Sequence, residues 1–222
     1  NASLWMVIAV AVSTLFFAIA SRRTEMIPGR LQAMAETAYD FVANLITDNL
    51  GSRGKEYFPL VFSLFIFVYV CNTLGMIPYS FTVTSHLIVT AALAMLIFFT
   101  VLVIGVARHG FHFLGIFVPS GVPGWLLPLV ILIEFISFLS RPITLSVRLF
   151  ANMVAGHVML KVIAGFSIMF ATAGGIAWAA TVLPVAMNVL MIGFEFFIAF
   201  IQAYVFAVLT CIYLKDTIEV GH

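Results

Sequence analysis

The chain has 222 residues, of which 64% are hydrophobic and 9% are charged, and its formal net charge at pH 7 is +1. Soluble domains carry about 25% charged residues, so this composition excludes an ordinary soluble protein and predicts a polytopic membrane protein. Strands of alternating polarity, typical of outer-membrane barrels, are missing from the sequence. We therefore expect an all-α fold in a single membrane domain, residues 1–222.

The first half of the chain predicts three spans and one amphipathic helix. Residues 4–20 predict the first span, since no basic segment precedes them and no cleavage pattern follows, as a signal peptide would require. Residues 31–50 have an apolar face opposite acidic residues, which predicts a helix on the inner membrane surface, against lipid or another subunit. Residues 57–77 and 87–107 predict two further spans.

The second half contains two long apolar arms, residues 124–166 and 176–214. The pair Gly174-Gly175 is typical of a chain reversal, so the arms predict an antiparallel helical hairpin. A helix of forty residues is about 60 Å long, whereas the hydrocarbon core of a bilayer is about 30 Å thick. We therefore expect both arms to be strongly tilted.

Basic residues in the connections predict the orientation. They lie after the first span, before the second, after the third and at the end of the last arm: Arg22, Arg23, Arg30, Arg53, Lys55, Arg108 and Lys215. The connections at residues 78–85 and 166–175 carry no charge. The positive-inside rule then places the basic connections and the C-terminus on the cytoplasmic or matrix side.

Polar residues form one stripe on each arm. Spacings of three or four, or of seven, keep residues on one helical face. The stripes comprise Glu134, Ser137, Arg141, Thr144, Arg148 and Asn152 on the first arm and Asn188, Glu195 and Gln202 on the second. A hairpin that reverses at Gly174-Gly175 places residue i opposite residue 350 − i. This register predicts that Arg148 faces Gln202 and that His157 faces Gly193, two residues from Glu195.

Arg148 is the strongest functional candidate in these stripes. A charged side chain at bilayer depth is a functional hypothesis by default, and a guanidinium cannot lose its charge as a lysine can. Glu134 lies toward the inner side of the predicted hairpin, and His157 and Glu195 lie toward the outer side. Carboxylates and histidine can gain or lose a proton. The pattern therefore predicts a protonatable site on each side of a fixed cationic barrier.

Structural interpretations of the same residues stay open. Glu134 and Arg141, seven residues apart, predict a packing ion pair, and an intramembrane histidine such as His157 is often only hydrogen-bonded within a core. Amides commonly join helices, which applies to Asn152, Asn188 and Gln202. Cys71 and Cys211 have no metal or disulfide spacing, and we expect neither a metal nor a cofactor.

Other functional classes fit the sequence less well. A secondary transporter also places charges at the midplane, but the two halves of the chain show no duplicated motif. A haem-binding subunit needs histidines as axial ligands within spans, and His157 is the only deeply placed histidine. The sequence has no phosphate-binding glycine loop, so we expect neither a nucleotide site nor an enzyme.

Two motifs resemble a known family. Arg148-Leu149-Phe150-Ala151-Asn152-Met153-Val154-Ala155-Gly156-His157 and the run from Gln202 to Thr210 are similar to subunit a of F-type ATP synthases. The resemblance covers nearly the whole chain, including Asn72-Thr73-Leu74-Gly75-Met76-Ile77-Pro78. Many bacterial members carry an acid at the position of His157 and a histidine at that of Glu195. The order is exchanged here, as in mitochondria-like members and their bacterial relatives.

The resemblance implies a proton-conducting stator that couples proton flow to rotation and ATP synthesis. Its partners would be the c-ring, the peripheral stalk, protons and lipid, with no nucleic acid, in a bacterial or mitochondrial inner membrane. It implies that Arg148 is the essential charge facing the c-ring carboxylate, that Glu134 belongs to the inner half-channel and that His157 and Glu195 belong to the outer one. Asn152, Gln202, Asn188 and Arg141 would line the path. Sodium coupling remains an alternative, since the ion-binding carboxylate would lie on the ring.

Overall fold

Long helices dominate the computed structural model, which describes residues 2–22, 29–77, 82–110, 126–174 and 176–218, without the side chains of residues 52, 53, 109, 176 and 177. No strand occurs in these ranges, in agreement with the predicted all-α class. The α-helices are α1 (Ala2–Ala20), α2 (Arg30–Leu50), α3 (Phe58–Gly75), α4 (Leu87–His109), α5 (Leu127–Ala173), α6 (Ile176–Ala180) and α7 (Val182–Ile218). Two 3-10 segments, Gly51–Tyr57 and Val83–Ser85, precede α3 and α4.

Five helical segments of the described chain are long and apolar enough to cross a membrane. They are Ala2–Ala20, Gly54–Gly75, Leu87–Arg108, Leu127–Ala173 and Trp178–Ile218. Many of their large apolar side chains are exposed, including Ile88 and Leu183. Such surfaces are unfavourable in water and suit a lipid environment. These segments therefore combine the length and the exposed apolar surface that a helix in a bilayer requires.

Helix α7 lies at the centre of the packing and contacts α2, α3, α4 and α5. Phe206, Ala207 and Leu214 of α7 are fully buried among these helices. They belong to one hydrophobic core with Val61 and Val68 of α3. This core holds α7 in place, so polar side chains that α7 directs toward α5 have defined positions.

Helix α2 packs against α3 and α7 through its C-terminal half. Val42, Leu45 and Ile46 are buried, whereas Leu31 and Met34, on the same predicted apolar face, are exposed. The following 3-10 segment folds back closely on α2. A Cβ added at Gly54 would lie 2.6 Å from Ile46 Cγ2, so only glycine fits there without displacement of α2.

The two arms differ from their predicted boundaries. Helix α5 runs through Pro142 and continues to Ala173, so the predicted end at residue 166 is too early. The predicted start, at residues 124–125, lies outside the described residues. The second arm is interrupted at Thr181 and continues to Ile218, beyond the predicted end at residue 214. Apolar composition on both sides of these positions concealed the boundaries.

The chain leaves α5 through Gly174, which has a φ of 68°. This left-handed conformation is accessible to glycine without the clash that a Cβ would cause. Helices α5 and α7 then lie in contact along the hairpin. The 47 residues of α5 correspond to about 70 Å, more than twice the thickness of a bilayer's hydrocarbon core.

Candidate functional site

His157 of α5 and Glu195 of α7 form a direct pair near the turn of the hairpin. His157 Nδ1 lies 2.9 Å from Glu195 Oε1. The Glu195 side chain is 5% exposed, and that of His157 is 27% exposed. An acid among apolar side chains needs a partner, and the histidine provides one. The sequence prediction placed these residues near each other, and the structure joins them.

The other nitrogen of His157 contacts the connection between α3 and α4. His157 Nε2 lies 2.8 Å from Thr82 Oγ1 and 3.1 Å from the carbonyl oxygen of Gly75. The Thr82 hydroxyl in turn donates to the Gly75 carbonyl, at 2.9 Å. We call Gly75, Thr82, His157 and Glu195 the turn-side site.

Close helix packing encloses the turn-side site. A Cβ added at Gly156 would lie 2.5 Å from Glu195 Oε1, and one added at Gly75 would lie 2.7 Å from Thr82 Cγ2. Both distances are too short for real atoms, so the two glycines create the space for the Glu195 carboxylate and the Thr82 side chain. The glycine before His157 in the arginine motif thus has a steric role.

The middle of the hairpin contains an amide pair. Asn152 Nδ2 donates to Gln202 Oε1 over 2.7 Å. Gln202 is buried, and its Nε2 atom has no hydrogen-bond partner within the described residues. The predicted contact of Arg148 with Gln202 is not formed: the partner of Gln202 is Asn152, one turn further along α5, and Arg148 is exposed. The amide is therefore satisfied on one side only.

Arg148 lies on the exposed surface of α5. It makes no hydrogen bond or ion pair with any residue in the described ranges. Ser137, Thr144 and Asn152 of the same stripe are also exposed. The predicted polar face of the first arm thus points away from the rest of the chain around Arg148.

A second charged cluster lies at the opposite end of the hairpin. Arg141 Nη1 lies 2.8 Å from Asp216 Oδ2, and Arg141 Nη2 lies 4.0 Å from Glu134 Oε1. The guanidinium also lies over the Tyr213 ring, with its carbon 5.0 Å from the centroid. We call Glu134, Arg141, Tyr213 and Asp216 the far-end cluster. The predicted Glu134 and Arg141 pair is present, but the closer partner of Arg141 is Asp216.

The hairpin register deviates progressively from the prediction. The rule of 350 − i places Gly193 opposite His157, residue 198 opposite Asn152 and residue 209 opposite Arg141. The observed partners are Glu195, Gln202 and Asp216. The rule assumes parallel axes and unbroken helices, and the second arm is interrupted at Thr181, but this single interruption shifts all three partners equally and does not explain why the offset grows from two to seven residues.

Several buried polar atoms have no hydrogen-bond partner among the described residues. They are Asn72 Oδ1 and Nδ2, Thr73 Oγ1, Thr84 Oγ1, Thr181 Oγ1, Asn188 Oδ1, Glu195 Oε2 and Gln202 Nε2. Buried polar groups normally have partners, and bound water is the usual one where protein groups are missing. Asn188 is predicted to line the proton path, but within the described residues it forms no hydrogen bond with His157 or Glu195.

Sequence reasoning missed Thr82, Asp216 and Tyr213, and it did not assign a role to Asn72. An asparagine within an apolar span is itself a signal, and Asn72 is fully buried in α3. Thr82 and Asp216 carry no comparable signal, because each meets its partner across 75 positions of sequence. Within the described ranges, no group of three or more histidine, cysteine, aspartate or glutamate residues has the geometry of a metal site.

Comparison with known proteins identifies the family. A family model described as "ATP synthase A chain" matches residues 3–215. The chain is 58% identical over 221 residues to "ATP synthase subunit a" of Rhizobium etli strain CIAT 652, covering 100% of this chain and 88% of that protein. It is 55% identical over 223 residues to the protein of the same name from Bradyrhizobium diazoefficiens, with coverages of 100% and 89%. The resemblance inferred from the arginine motif is confirmed, and the chain belongs to the ATP synthase A chain family.

Proposed function

We propose that this chain is the proton-conducting stator subunit of an F-type ATP synthase, in which two half-channels meet a rotating c-ring on either side of Arg148. It is a non-catalytic subunit of the membrane sector and works in a complex with other ATP synthase subunits. We also propose that it contacts the c-ring and the peripheral stalk, that individual residues have the roles described in the next paragraphs, and that the C-terminus lies on the inner side.

The observation that carries the proposal is the exposed position of Arg148 on the polar stripe of α5. Arg148 has no charged partner in the described chain, yet it belongs to a segment apolar enough to span a membrane. A guanidinium facing lipid is strongly unfavourable, so this surface needs a partner that brings a negative charge. A carboxylate presented by another membrane subunit has the required chemistry, and a c-ring presents one after another as it turns.

Arg148 separates two protonatable sites along α5. His157 follows it by nine residues, about 14 Å along a helix, and Glu134 precedes it by fourteen residues, about 21 Å. A positive charge repels a proton or hydronium in its vicinity, and this repulsion is strong where the dielectric constant is low. Protons would therefore pass between the two sites on the ring carboxylates and not directly through the subunit.

The outer half-channel would run through the turn-side site. A proton taken up there is passed to a ring carboxylate, which becomes neutral and can move into lipid. Buried, unpaired atoms of Asn72, Thr84 and Glu195 support a hydrated path at this end, since water would satisfy them. The inner half-channel would begin near Glu134, where the ring carboxylate releases its proton before it meets Arg148 again.

Basic residues support the proposed sidedness. Arg22, Lys55, Arg108 and Lys215 lie at the helix ends opposite the hairpin turn, and Arg108 is paired with Glu56. The positive-inside rule places these ends and the C-terminus in the cytoplasm or matrix. In this orientation, α2 lies at the inner membrane surface, and α5 and α7 must be tilted to fit their length into the bilayer.

ATP-driven proton pumping in inverted membrane vesicles tests the proposal. Arg148→Ala should abolish pumping while the complex still assembles, because nothing else in the described chain replaces this surface charge. Val147→Ala is the matched control, since Val147 is the exposed neighbour on the same helix. Native pumping by Arg148→Ala would remove the stator charge from the mechanism. Sodium-dependent pumping that persists with a proton uncoupler would instead identify a sodium-coupled member.

A further inference from the structure

The turn-side site contains a donor arrangement that favours one position for the hydrogen of His157. Thr82 Oγ1 donates its single hydrogen to the Gly75 carbonyl, at 2.9 Å. Its oxygen can therefore only accept a hydrogen bond from His157 Nε2, which lies 2.8 Å away. The Gly75 carbonyl, 3.1 Å from the same nitrogen, is also an acceptor. With the Thr82 hydroxyl donating to Gly75, His157 Nε2 faces two acceptors, and this arrangement favours the tautomer that carries its hydrogen on Nε2.

The acceptor pair comes from a helix end. Gly75 is the last residue of α3, and the last four carbonyls of a helix have no partner within it. Thr82 follows in an extended conformation and returns its hydroxyl to that carbonyl. Thr82 is 7% exposed, and Gly75 leaves no room for a larger residue against it. The hydroxyl therefore has a fixed position beside the imidazole.

A hydrogen fixed on Nε2 leaves Nδ1 as the exchanging atom. Without a further proton, the Nδ1 lone pair and the Glu195 carboxylate would be two acceptors 2.9 Å apart, which repel each other. One added proton turns this contact into a hydrogen bond, held either as a histidinium with a carboxylate or as a neutral histidine with a carboxylic acid. The charge of the pair changes from −1 to 0, and loss of the proton reverses the change.

We propose that Thr82 is a positioning residue that, with the Gly75 carbonyl, holds the hydrogen of His157 on Nε2, so that the His157–Glu195 contact carries the one exchangeable proton of the outer half-channel. In the opposite tautomer, Nδ1 would already donate the histidine's own hydrogen to Glu195. Nε2, without a hydrogen, would then face the oxygens of Thr82 and Gly75 with no donor between them. An arriving proton would then bind on the side away from Glu195. This inference rests on the proposed role of His157 and Glu195 in proton conduction.

Proton pumping by the complete ATP synthase in inverted vesicles separates a positioning role from a structural one. Thr82→Val keeps the side-chain shape and removes the hydroxyl, and pumping should fall about fivefold, as expected for one hydrogen bond. Thr82→Ser restores the hydroxyl and should pump at nearly the native rate. The matched control is Thr90→Val, because Thr90 is fully buried and its hydroxyl bonds, among the described residues, to the Leu87 carbonyl of its own helix. Equal rates for Thr82→Val and Thr90→Val would overturn the inference.

A spectroscopic measurement covers the case in which Thr82→Val does not assemble. The complex is labelled with ¹⁵N-histidine, and the His157 signals are taken as the difference between native and His157→Gln samples. The neutral imidazole should carry its hydrogen on Nε2 in the native complex. A hydrogen on Nδ1 would contradict the inference whatever the variants do. Full pumping by His157→Gln would instead remove the proposed role of the outer pair, so the two failures are distinguishable.

Discussion

The turn-side site and the far-end cluster use charge in opposite ways. The turn-side site pairs a histidine with a carboxylate, and both can change their charge. The far-end cluster surrounds a permanent cation, Arg141, with Asp216 and Glu134. The Glu195 side chain is 5% exposed, whereas that of Asp216 is 41% exposed. The buried His157–Glu195 pair can change its charge, which suits proton uptake. The more exposed far-end cluster contains a permanent cation, Arg141, which suits release of a proton to water.

Arg148 differs from both regions in having no charged partner among the described residues. Its charge is permanent, as at Arg141, but the described residues provide it with no carboxylate. Within the described residues, Arg141 and Glu195 have partners that can balance their charge, whereas Arg148, between them along the hairpin, has none. An uncompensated charge in a membrane protein points to a partner outside the chain.

Of the changes that test the difference between the two ends of the hairpin, loss of the turn-side carboxylate should lower ATP-driven proton pumping most. Glu195→Gln keeps the side-chain shape but cannot take up a proton, so we expect ATP-driven pumping to fall by at least about tenfold. Asp216→Asn weakens a more exposed ion pair and should lower pumping only about twofold. Equal losses in the two variants, at equal assembly, would show that the two ends do not differ as described.

An added methyl group beside the His157–Glu195 pair should lower the pumping rate by an intermediate amount. The Cβ of Gly156→Ala would lie 2.5 Å from Glu195 Oε1, so the carboxylate must shift from the position in which it pairs with His157. The displaced atom is the end of a flexible side chain, so we expect a cost at the lower end of the overpacking range, about 1 kcal/mol, which corresponds to roughly a fivefold decrease in the pumping rate. Gly165→Ala is the matched control on the same helix, because a Cβ there meets nothing within 4 Å. Similar pumping rates for both alanine variants would indicate that the His157–Glu195 distance does not matter.

A conservative change in the far-end cluster should have the smallest effect. Arg141→Lys keeps the positive charge but loses the planar fork that reaches Asp216 and Glu134, and we expect roughly a twofold decrease in ATP synthesis. Arg148→Lys should be much more severe, because the role proposed for Arg148 requires both a fixed protonation state and the donor geometry of a guanidinium at the subunit surface. Equal effects of the two lysine variants on the synthesis rate would contradict the distinction between a paired and an unpaired arginine.

The sequence predicted the features that depend on periodicity and apolar length. Spacings of three, four and seven placed Asn152 and Gln202 on stripes that meet, although Arg148 of the same stripe is exposed, and apolar runs predicted the spanning segments. Helical geometry is local, so such patterns can be read from the chain alone. The meeting of His157 with Glu195 was predicted to within two residues, and this pair lies closer to the turn than the pairs Asn152–Gln202 and Arg141–Asp216.

The remaining contacts depend on how helices approach each other in three dimensions. Asp216 meets Arg141 seven residues away from the predicted register, and the interruption of the second arm at Thr181 does not explain why this offset exceeds that at His157. Thr82 lies in the connection between α3 and α4 and contacts α5 only through tertiary packing. The polar composition of such a connection contains no information about which helix it contacts.

Passive proton flow through the membrane sector tests the central claim most directly. The claim is that Arg148 is a fixed positive barrier between two protonatable sites. Vesicles with an imposed proton gradient and no ATP should leak protons faster with Arg148→Ala than with the native complex or with Val147→Ala, while ATP-driven pumping is lost. Coupled pumping with no added leak in Arg148→Ala would contradict the account.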